Sequence, residues 1–193
     1  MNQMLDVLSR RRSVPLPMMG EPGPTQEQLD QMLAIAARVP DHGKLAPWRF
    51  ILYRGAAATG IGEALAALVE AREGDSMTET RRMVEQNRFT RSPLVIGVIS
   101  TAKPHVKIPE WEQVMSGAAA AMNLIDAAYA FGYGANWVTE WVAYDDEAKA
   151  ILGIAPDERV IGFIHIGTAK EVIEDRRRPV MADIVTEASA PMV

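Results

Sequence analysis

Several short segments of this sequence carry residue types that bind anions. The first, Arg10-Arg11-Arg12-Ser13, offers planar guanidinium donors and a hydroxyl, a combination suited to a phosphate group. Arginines at the end of a helix also complement the helix dipole, so the residues alone leave both interpretations open. Near the other end of the chain, Arg176-Arg177-Arg178 is either a solvated run of charge or the second half of a phosphate site.

A loop over residues 40–49 (PDHGKLAPWR) carries His42, Lys44 and Arg49 among turn-forming residues. Loops that attach charged groups to rigid elements are common places for ligand sites. A plain connection between a helix and a strand, with Trp48 packed inside, explains the same residues. Both interpretations of this loop therefore stay open.

Two further segments combine aromatic residues with turn or helix-start signals. Residues 132–139 (GYGANWVT) could seat a flat ring, or could form a tight turn before a strand. Residues 107–113 (KIPEWEQ) precede a helix, and Glu110 and Glu112 in its first turn match the helix dipole without any catalytic role. The role of Lys107 stays open, as does that of Lys44 in the loop described above.

Composition excludes several classes of protein. The chain has 193 residues, no cysteine and a formal net charge of −5. Without cysteine there are no disulfides, thiolate metal sites, Fe–S clusters or cysteine nucleophiles, and the three histidines lack metal-ligand spacing. A net-acidic chain does not favour a nucleic-acid surface. The motifs of Rossmann dinucleotide folds, P-loop NTPases, serine hydrolases and zincins are missing.

The apolar runs are too short to cross a membrane, and no signal peptide precedes the basic residues near the start. The sequence therefore predicts a cytoplasmic protein without membrane association and without a metal site.

The chemistry-bearing segments need rigid elements to position them, and hydrophobic periodicity indicates where those elements are. Helices are predicted over residues 2–10, 56–72, 77–90, 109–131 and 145–152. A further helix is predicted to begin at the capping box of Thr25 and Gln28 and to end before Pro40. Strands are predicted over residues 48–53, 94–100, 135–139 and 160–167. No linker divides the chain, so we expect one domain over residues 1–193, with one sheet covered by helices.

Two features indicate surfaces that another element must cover. The long helix predicted over residues 109–131 has very small side chains at residues 117–121 (GAAAA), which allow a neighbouring backbone to approach closely. The first helix carries an apolar stripe of Met1, Met4, Leu5 and Leu8.

In their order and spacing, these segments together resemble the FMN-dependent nitroreductase family, and above all its small single-domain bacterial members, the NAD(P)H nitroreductases. The resemblance rests on four motifs in register over almost the whole chain: Arg11-Arg12-Ser13, then residues 39–48 (VPDHGKLAPW), 107–113 (KIPEWEQ) and 132–137 (GYGANW). Larger family members have Asn and Gln where this chain has Lys44 and Ala46, so amide contacts made in those relatives are missing or replaced here.

The resemblance implies an α+β fold, a three-layer α-β-α sandwich with one mixed sheet flanked by helices. It also implies a homodimer that binds FMN at the subunit interface. The cofactor-binding residues that it implies are Arg11, Arg12 and Ser13 at the phosphate and ribityl end, Arg38 and His42 from the partner's loop, Trp137, Val138 and Thr139 along the flavin, and Arg178 or Arg176 on the phosphate.

The implied activity is hydride transfer from NAD(P)H through FMN to an electron-poor acceptor such as a nitroaromatic or a quinone, in a ping-pong sequence. No side chain is expected to act as an obligatory acid or base, so no catalytic residue is assigned. One alternative is a flavoprotein of the same fold with another task, such as dehalogenation, desaturation or flavin destruction. Others are a flavin-binding redox sensor that is not catalytic, and an acidic domain without a cofactor.

Overall fold

A computed structural model of the protein describes residues 3–188. Its helices are α1 (Gln3–Arg10), α2 (Gln26–Ala36), α3 (Gly55–Glu73), α4 (Glu79–Gln86), α5 (Glu110–Ala130), α6 (Asp146–Ile151) and α7 (Met181–Ile184). Its strands are β1 (Met19–Gly20), β2 (Trp48–Tyr53), β3 (Leu94–Ser100), β4 (Gly134–Val138) and β5 (Arg159–Ala169). Across the described residues, no helix combines the length and apolar character needed to cross a membrane.

Local sequence signals explain several of these boundaries. Helix α2 begins at the predicted capping box, in which Thr25 and Gln28 each accept a hydrogen bond from the other's backbone N–H. Helix α3 ends at Gly74, whose φ of 54° suits glycine. Helix α4 is shorter than predicted and ends at Asn87, where the chain turns toward β3.

Strand β5 is the centre of the sheet. It pairs with β3 along one edge and with β4 along the other, while β2 lies beyond β3 and β1 pairs with the end of β5. Every pairing between these strands is antiparallel. Among residues 3–188, the parallel component is a single bridge between Ser13 and Ala135.

The sheet is buried on both faces, which gives the three layers. Alternate residues of β3 enter opposite clusters: Leu94, Ile96 and Val98 pack with residues of α2 and α5, whereas Val95 and Ile99 pack with residues of α3 and α6. This arrangement confirms the α-β-α sandwich implied by the resemblance. It also explains the nearly continuous apolar sequence of β3.

Some elements gave no signal in the sequence, and one prediction cannot be compared. Strand β1 and helix α7 are too short for hydrophobic periodicity to reveal them. Met1, part of the predicted apolar stripe, lies outside the described residues. Within the stripe, Leu5 and Leu8 are 60% and 55% exposed, so their apolar surface is uncovered in a single chain.

A buried histidine in β5 links stability to pH. His165 is 1% exposed and its Nδ1 lies 2.9 Å from the hydroxyl of Ser92. Burial, reinforced by the positive charge of Arg91, lowers the pKa of His165 from 6.5 to about 3. The folded chain therefore leaves this site unprotonated at pH values where the unfolded chain takes up a proton.

We predict that acid weakens the fold through His165. Its contribution is fully present above pH 6.5 and is lost as the pH falls toward 3, at about 1.4 kcal/mol per pH unit in the free energy of unfolding. A His165→Asn variant lacks the titrating group, so its free energy of unfolding should not show this pH dependence. The stability difference between wild type and variant, measured by urea unfolding, should therefore become smaller from pH 6.5 to pH 4. The same substitution at exposed His105 is the control; an equal flattening there would contradict the assignment.

Candidate functional site

The segment after α1 runs directly beside the start of β4. The backbone N–H of Val14 donates to the Ala135 carbonyl at 3.0 Å, and the Asn136 amide donates to the Val14 carbonyl at 2.7 Å. Gly134 permits this approach, because a Cβ there would lie 2.6 Å from Cγ2 of Val14. The arginine–serine motif therefore meets the glycine turn and strand of the 132–137 motif, although more than 100 residues separate them.

Two of the predicted phosphate-binding residues converge on one carboxylate. Arg178 donates to Oδ1 of Asp175 at 2.7 Å, and Nε of Arg12 lies 3.5 Å from the same oxygen. Arg12 also donates to the Glu174 carbonyl at 2.9 Å. The hydrogen bond from Arg178 is the main reason that the pKa of Asp175 is lowered. By contrast, the Arg176 guanidinium bonds to a neighbouring backbone carbonyl, so Arg178 is the tail arginine that joins Arg12.

Arg11 points elsewhere and contacts α5. Its Nε lies 3.4 Å from Oδ1 of Asp126, a buried oxygen that has no hydrogen bond of good geometry among the described residues. Burial raises the pKa of Asp126, and the charge of Arg11 opposes that shift. Arg11 therefore ties the end of α1 to α5, while its neighbour Arg12 faces the tail.

A cavity of about 570 Å³ opens next to Arg12. One wall comes from the end of α5 and the glycine turn, and another from the chain that follows β5. Its lining residues are Arg10, Arg12, Val14, Tyr129, Gly132, Tyr133, Gly134, Ala169, Lys170, Glu171, Val172 and Ile173. Cationic and aromatic groups around one concave surface are the chemistry that an anionic ligand with a ring needs.

The three predicted residues of β4 do not share one face. Trp137 donates to the Ile161 carbonyl at 3.1 Å and lies over Gly162, where an added Cβ would overlap the indole. Val138 packs in the cluster on the opposite face of the sheet. Thr139 follows the strand, and its hydroxyl lies 3.3 Å from the hydroxyl of Tyr144. A flat ring placed along β4 would contact the backbone of the strand and the side chains of only some of these three residues.

The loop after α2 is held in shape by one aspartate. Both carboxylate oxygens of Asp41 accept backbone hydrogen bonds, from Leu45 at 3.1 Å and Ala46 at 2.8 Å. Lys44 and Ala46 have φ values of 57° and 44°, a region that residues other than glycine seldom occupy. The Asp41 contacts thus define the direction in which the charged side chains of the loop project.

His42 of this loop lies far from the arginine–serine motif of the same chain. Its Nδ1 is 2.8 Å from Oε2 of Glu112, in the first turns of α5. Arg11 contacts Asp126 near the other end of that helix. At 1.5 Å per residue, Glu112 and Asp126 are about 21 Å apart along α5. One chain therefore brings together Arg12, Ser13, Arg178 and the start of β4, but not His42.

Arg38 lies between these two ends. Its backbone carbonyl accepts a hydrogen bond from the amide of Asn123 at 3.1 Å. Asn123 is one turn of α5 before Asp126, the partner of Arg11. The structure therefore gives the Arg38 backbone a place on α5, and none of the described contacts connects its guanidinium to the phosphate-binding residues.

Sequence reasoning missed three residues that organise this site. Asp175 and Asp126 are the counterions of the arginines, and Asn136 joins the arginine–serine segment to β4. Asp175 had one local signal, a carboxylate three positions before Arg178 in a basic tail. Asn136 lies within the 132–137 motif, but its partner, like that of Asp126, is more than 100 residues away, so local sequence indicated neither contact.

Comparisons with known proteins extend over the same part of the chain. A family model described as "Nitroreductase family" matches residues 8–168. The "Putative NAD(P)H nitroreductase" of Haemophilus influenzae is 36% identical over 169 residues, which cover 86% of this chain and 89% of that protein.

Two solved structures share the fold. The nitroreductase-like family protein from Bacillus cereus has a TM-score of 0.80 at 22% identity and covers 97% of this chain and 96% of its own. The nitroreductase with bound FMN from Bacteroides fragilis has a TM-score of 0.69 at 21% identity and covers 98% of this chain and 100% of its own. With the family model matching most of its length and a relative at 36% identity, this chain belongs to the nitroreductase family of oxidoreductase enzymes.

Proposed function

We propose that the protein is an FMN-dependent oxidoreductase that transfers hydride from NAD(P)H to an electron-poor acceptor, such as a nitroaromatic or a quinone, by a ping-pong mechanism. The proposal treats residues 1–193 as a single nitroreductase-like domain working in the cytoplasm. The observation that carries it is the convergence of Arg12 and Arg178 on one anionic oxygen beside a ring-sized cavity. The names of the relatives, with NAD(P)H in one and bound FMN in another, support the same assignment.

The donor set around Asp175 suits the terminal phosphate of FMN. The carboxylate of Asp175 stands between two guanidinium groups as a phosphate oxygen would, and its side chain is 64% exposed, so it is free to turn aside. Phosphate oxygens form stronger charge-assisted hydrogen bonds with guanidinium groups than neutral acceptors do. In this assignment Arg12 and Arg178 bind the phosphate and Ser13 adds a hydroxyl donor.

The remaining residues orient the ring. Bound FMN would supply the redox chemistry, which is the uptake of a hydride from a nicotinamide and the transfer of two electrons to a second substrate. The chain contributes a support made of the β4 backbone at Trp137 and Val138 and of Thr139, which follows the strand. No side chain is assigned as an acid or base, so binding and orientation are the whole contribution of the protein.

The outward face of α5 supports a homodimer. Trp111 and Met115 on this face are 69% and 46% exposed, and the small Ala118 and Ala119 follow at helical spacing, with Met122 one turn later. The small side chains leave room for a second helix to approach closely. An apolar stripe with small residues at its middle favours pairing with its own copy around a two-fold axis.

The same axis would complete the site. Residue 119 lies midway between Glu112 and Asp126, so a two-fold axis there places the partner's Glu112 end of α5 against the Asp126 end of this chain. The partner's His42, held at Glu112, would then approach the motif that contains Arg11. The separation of about 21 Å within one chain is thus resolved by contributions from two chains.

We predict that the purified protein is yellow and that denaturation releases FMN. The site has donors for one terminal phosphate, and the sequence has no dinucleotide motif. NADPH or NADH added without oxygen should bleach the bound flavin, and a nitroaromatic or quinone should restore its colour. Release of FAD would contradict the cofactor assignment, and an unbleached flavin would favour the redox-sensor alternative.

We predict that Arg12→Ala and Arg178→Ala each weaken FMN binding about tenfold to a hundredfold, since each removes a charge-assisted hydrogen bond worth roughly 1.5–3 kcal/mol. Titration of apo-protein with FMN, followed by flavin fluorescence, measures the dissociation constant. Arg177→Ala, in the same basic run, is the matched control. Equal affinities in all three variants would remove the phosphate role from these arginines.

We predict that Ala119→Arg separates the subunits and releases the flavin together, because a long charged side chain at the middle of the α5 face prevents close approach. Sedimentation followed by protein absorbance should show a monomer, and at a flavin wavelength this monomer should give no signal. Ala64→Arg, at an exposed position of α3, is the control and should remain a coloured dimer. A monomeric Ala119→Arg protein with full flavin content would refute the shared site.

A further inference from the structure

The second residue after β4, the strand proposed to support the flavin, has an unusual backbone conformation. Glu140 comes directly after Thr139 and has φ 58° and ψ −178°. A side chain with a Cβ rarely adopts such a conformation, and glycine is the residue that adopts it without steric cost. Here the chain leaves β4 and enters the short 3-10 turn Trp141–Ala143. The strained residue is therefore the one that directs the end of the strand.

Two arginines hold the side chain of Glu140. Arg91 donates to both carboxylate oxygens, at 2.9 Å and 2.6 Å, and Nη1 of Arg88 lies 2.7 Å from Oε2. The Arg91 pair has the bidentate geometry that makes such contacts strong and directional. Both arginines belong to the turn between α4 and β3, so the contacts join that turn to the end of β4.

Arg88 is itself fixed from the other side. Its side chain is only 6% exposed and donates to both oxygens of the fully buried Glu85, at 2.7 Å and 2.6 Å. Glu85 also accepts from the indole N–H of Trp141, the residue after Glu140. Through Arg88, the carboxylate of Glu140, which is itself 29% exposed, is thus joined to a buried carboxylate.

The Glu140 carboxylate is ionised in this setting. Burial alone would raise its pKa, but the hydrogen bonds and charges of Arg91 and Arg88 outweigh burial and lower the pKa below the usual value for glutamate. The ion pairs are therefore complete at neutral pH. They stabilise this side chain in the one backbone conformation that places it between the two arginines.

We infer that Glu140 is a positioning residue whose ion pairs with Arg88 and Arg91 hold the backbone in a glycine-like conformation, and so set the course of the chain at Thr139 beside the flavin. The inference rests on the proposed function, because it takes the end of β4 as part of the FMN site. In a structure with glycine at this position the conformation would need no ion pairs. The two arginines compensate for the steric cost of a side chain at the end of β4.

The inference separates two substitutions that remove the same ion pairs. Glu140→Gly retains access to the positive φ, whereas Glu140→Ala loses the ion pairs and keeps the steric cost. We expect Glu140→Ala to weaken FMN binding about tenfold and to shift the visible absorption band of the bound flavin. Glu140→Gly should bind FMN within about threefold of wild type with an unshifted band.

A double-variant cycle makes the test independent of general stability. Arg91→Ala should weaken FMN binding in the Glu140 protein and have no further effect in the Glu140→Gly protein. Glu158→Ala is the matched control, because it removes another bidentate pair, with Arg49 at 2.7 Å, from the far strand β2. That variant should lose thermal stability and keep its flavin affinity and spectrum.

Each outcome decides the matter. A Glu140→Gly protein as impaired in FMN binding as Glu140→Ala would show that access to the glycine-like conformation does not replace the ion pairs, and would overturn the inference. A Glu140→Ala protein with normal affinity and spectrum would also overturn it. If Glu140→Ala fails to fold, the comparison of Arg91→Ala in the Glu140 and Glu140→Gly backgrounds still decides. A wild-type protein that binds no FMN would overturn the proposed function and this inference together.

Discussion

Helix α5 is the rigid element that sets the distance between the loop at His42 and the arginine–serine motif. It lies on one face of the sheet, and polar side chains along its length bind segments that would otherwise be unconnected. Glu112 lies against the loop at His42, Ser116 donates to the Pro40 carbonyl at 2.7 Å, and Asp126 pairs with Arg11. Because a helix has a fixed rise per residue, these contacts fix the distances between the segments. The single chain therefore holds the His42 loop and the arginine–serine motif at opposite ends of one rigid element.

The distance between the His42 loop and the arginine–serine motif also draws attention to the outward face of α5, where a second chain could pack. A helix that is buried on one face and lined with small and apolar residues on the other can pack against a second copy without rearrangement of the core. The proposed dimer would then explain both the alanines at the middle of the face and the distance between the His42 loop and the arginine–serine motif. A second chain related by two-fold symmetry would bring its own His42 loop close to the arginine–serine motif of the first chain.

Carboxylates have a second organising role in this net-acidic chain. Asp126, Asp175 and Glu140 each bind an arginine near the candidate site. The three pairs differ in burial. In the proposed site the exposed Asp175 would yield to a phosphate, whereas Glu140 is joined through Arg88 to the buried Glu85 and would hold its backbone in place. Exposed and buried ion pairs of the same chemistry thus suit different tasks.

The elements of the fold were largely determined by local sequence. The capping box at Thr25 and Gln28 marks the start of α2, and the apolar run of β3 indicates a strand buried on both faces, because caps and periodicity act over a few residues. The motifs also located the arginine–serine segment, the loop after α2 and the glycine turn. What local patterns could not indicate were the two-residue β1 and the single turn of α7.

The roles of individual charged residues were decided by the tertiary structure. Arg11 and Arg12 are adjacent and chemically identical in the sequence, yet Arg11 contacts Asp126 of α5. Arg12 instead contacts the tail, where it donates to the carbonyl of Glu174, 162 positions later in the chain. Arg176 and Arg178 likewise differ only in their contacts, because Arg176 donates to a neighbouring backbone carbonyl and Arg178 donates to Asp175. Each partner is brought into place by the packing of the sheet and α5, and a side chain's direction depends on that packing. The sequence by itself therefore determined which residue types gather at the site, and the fold determined which of them face it.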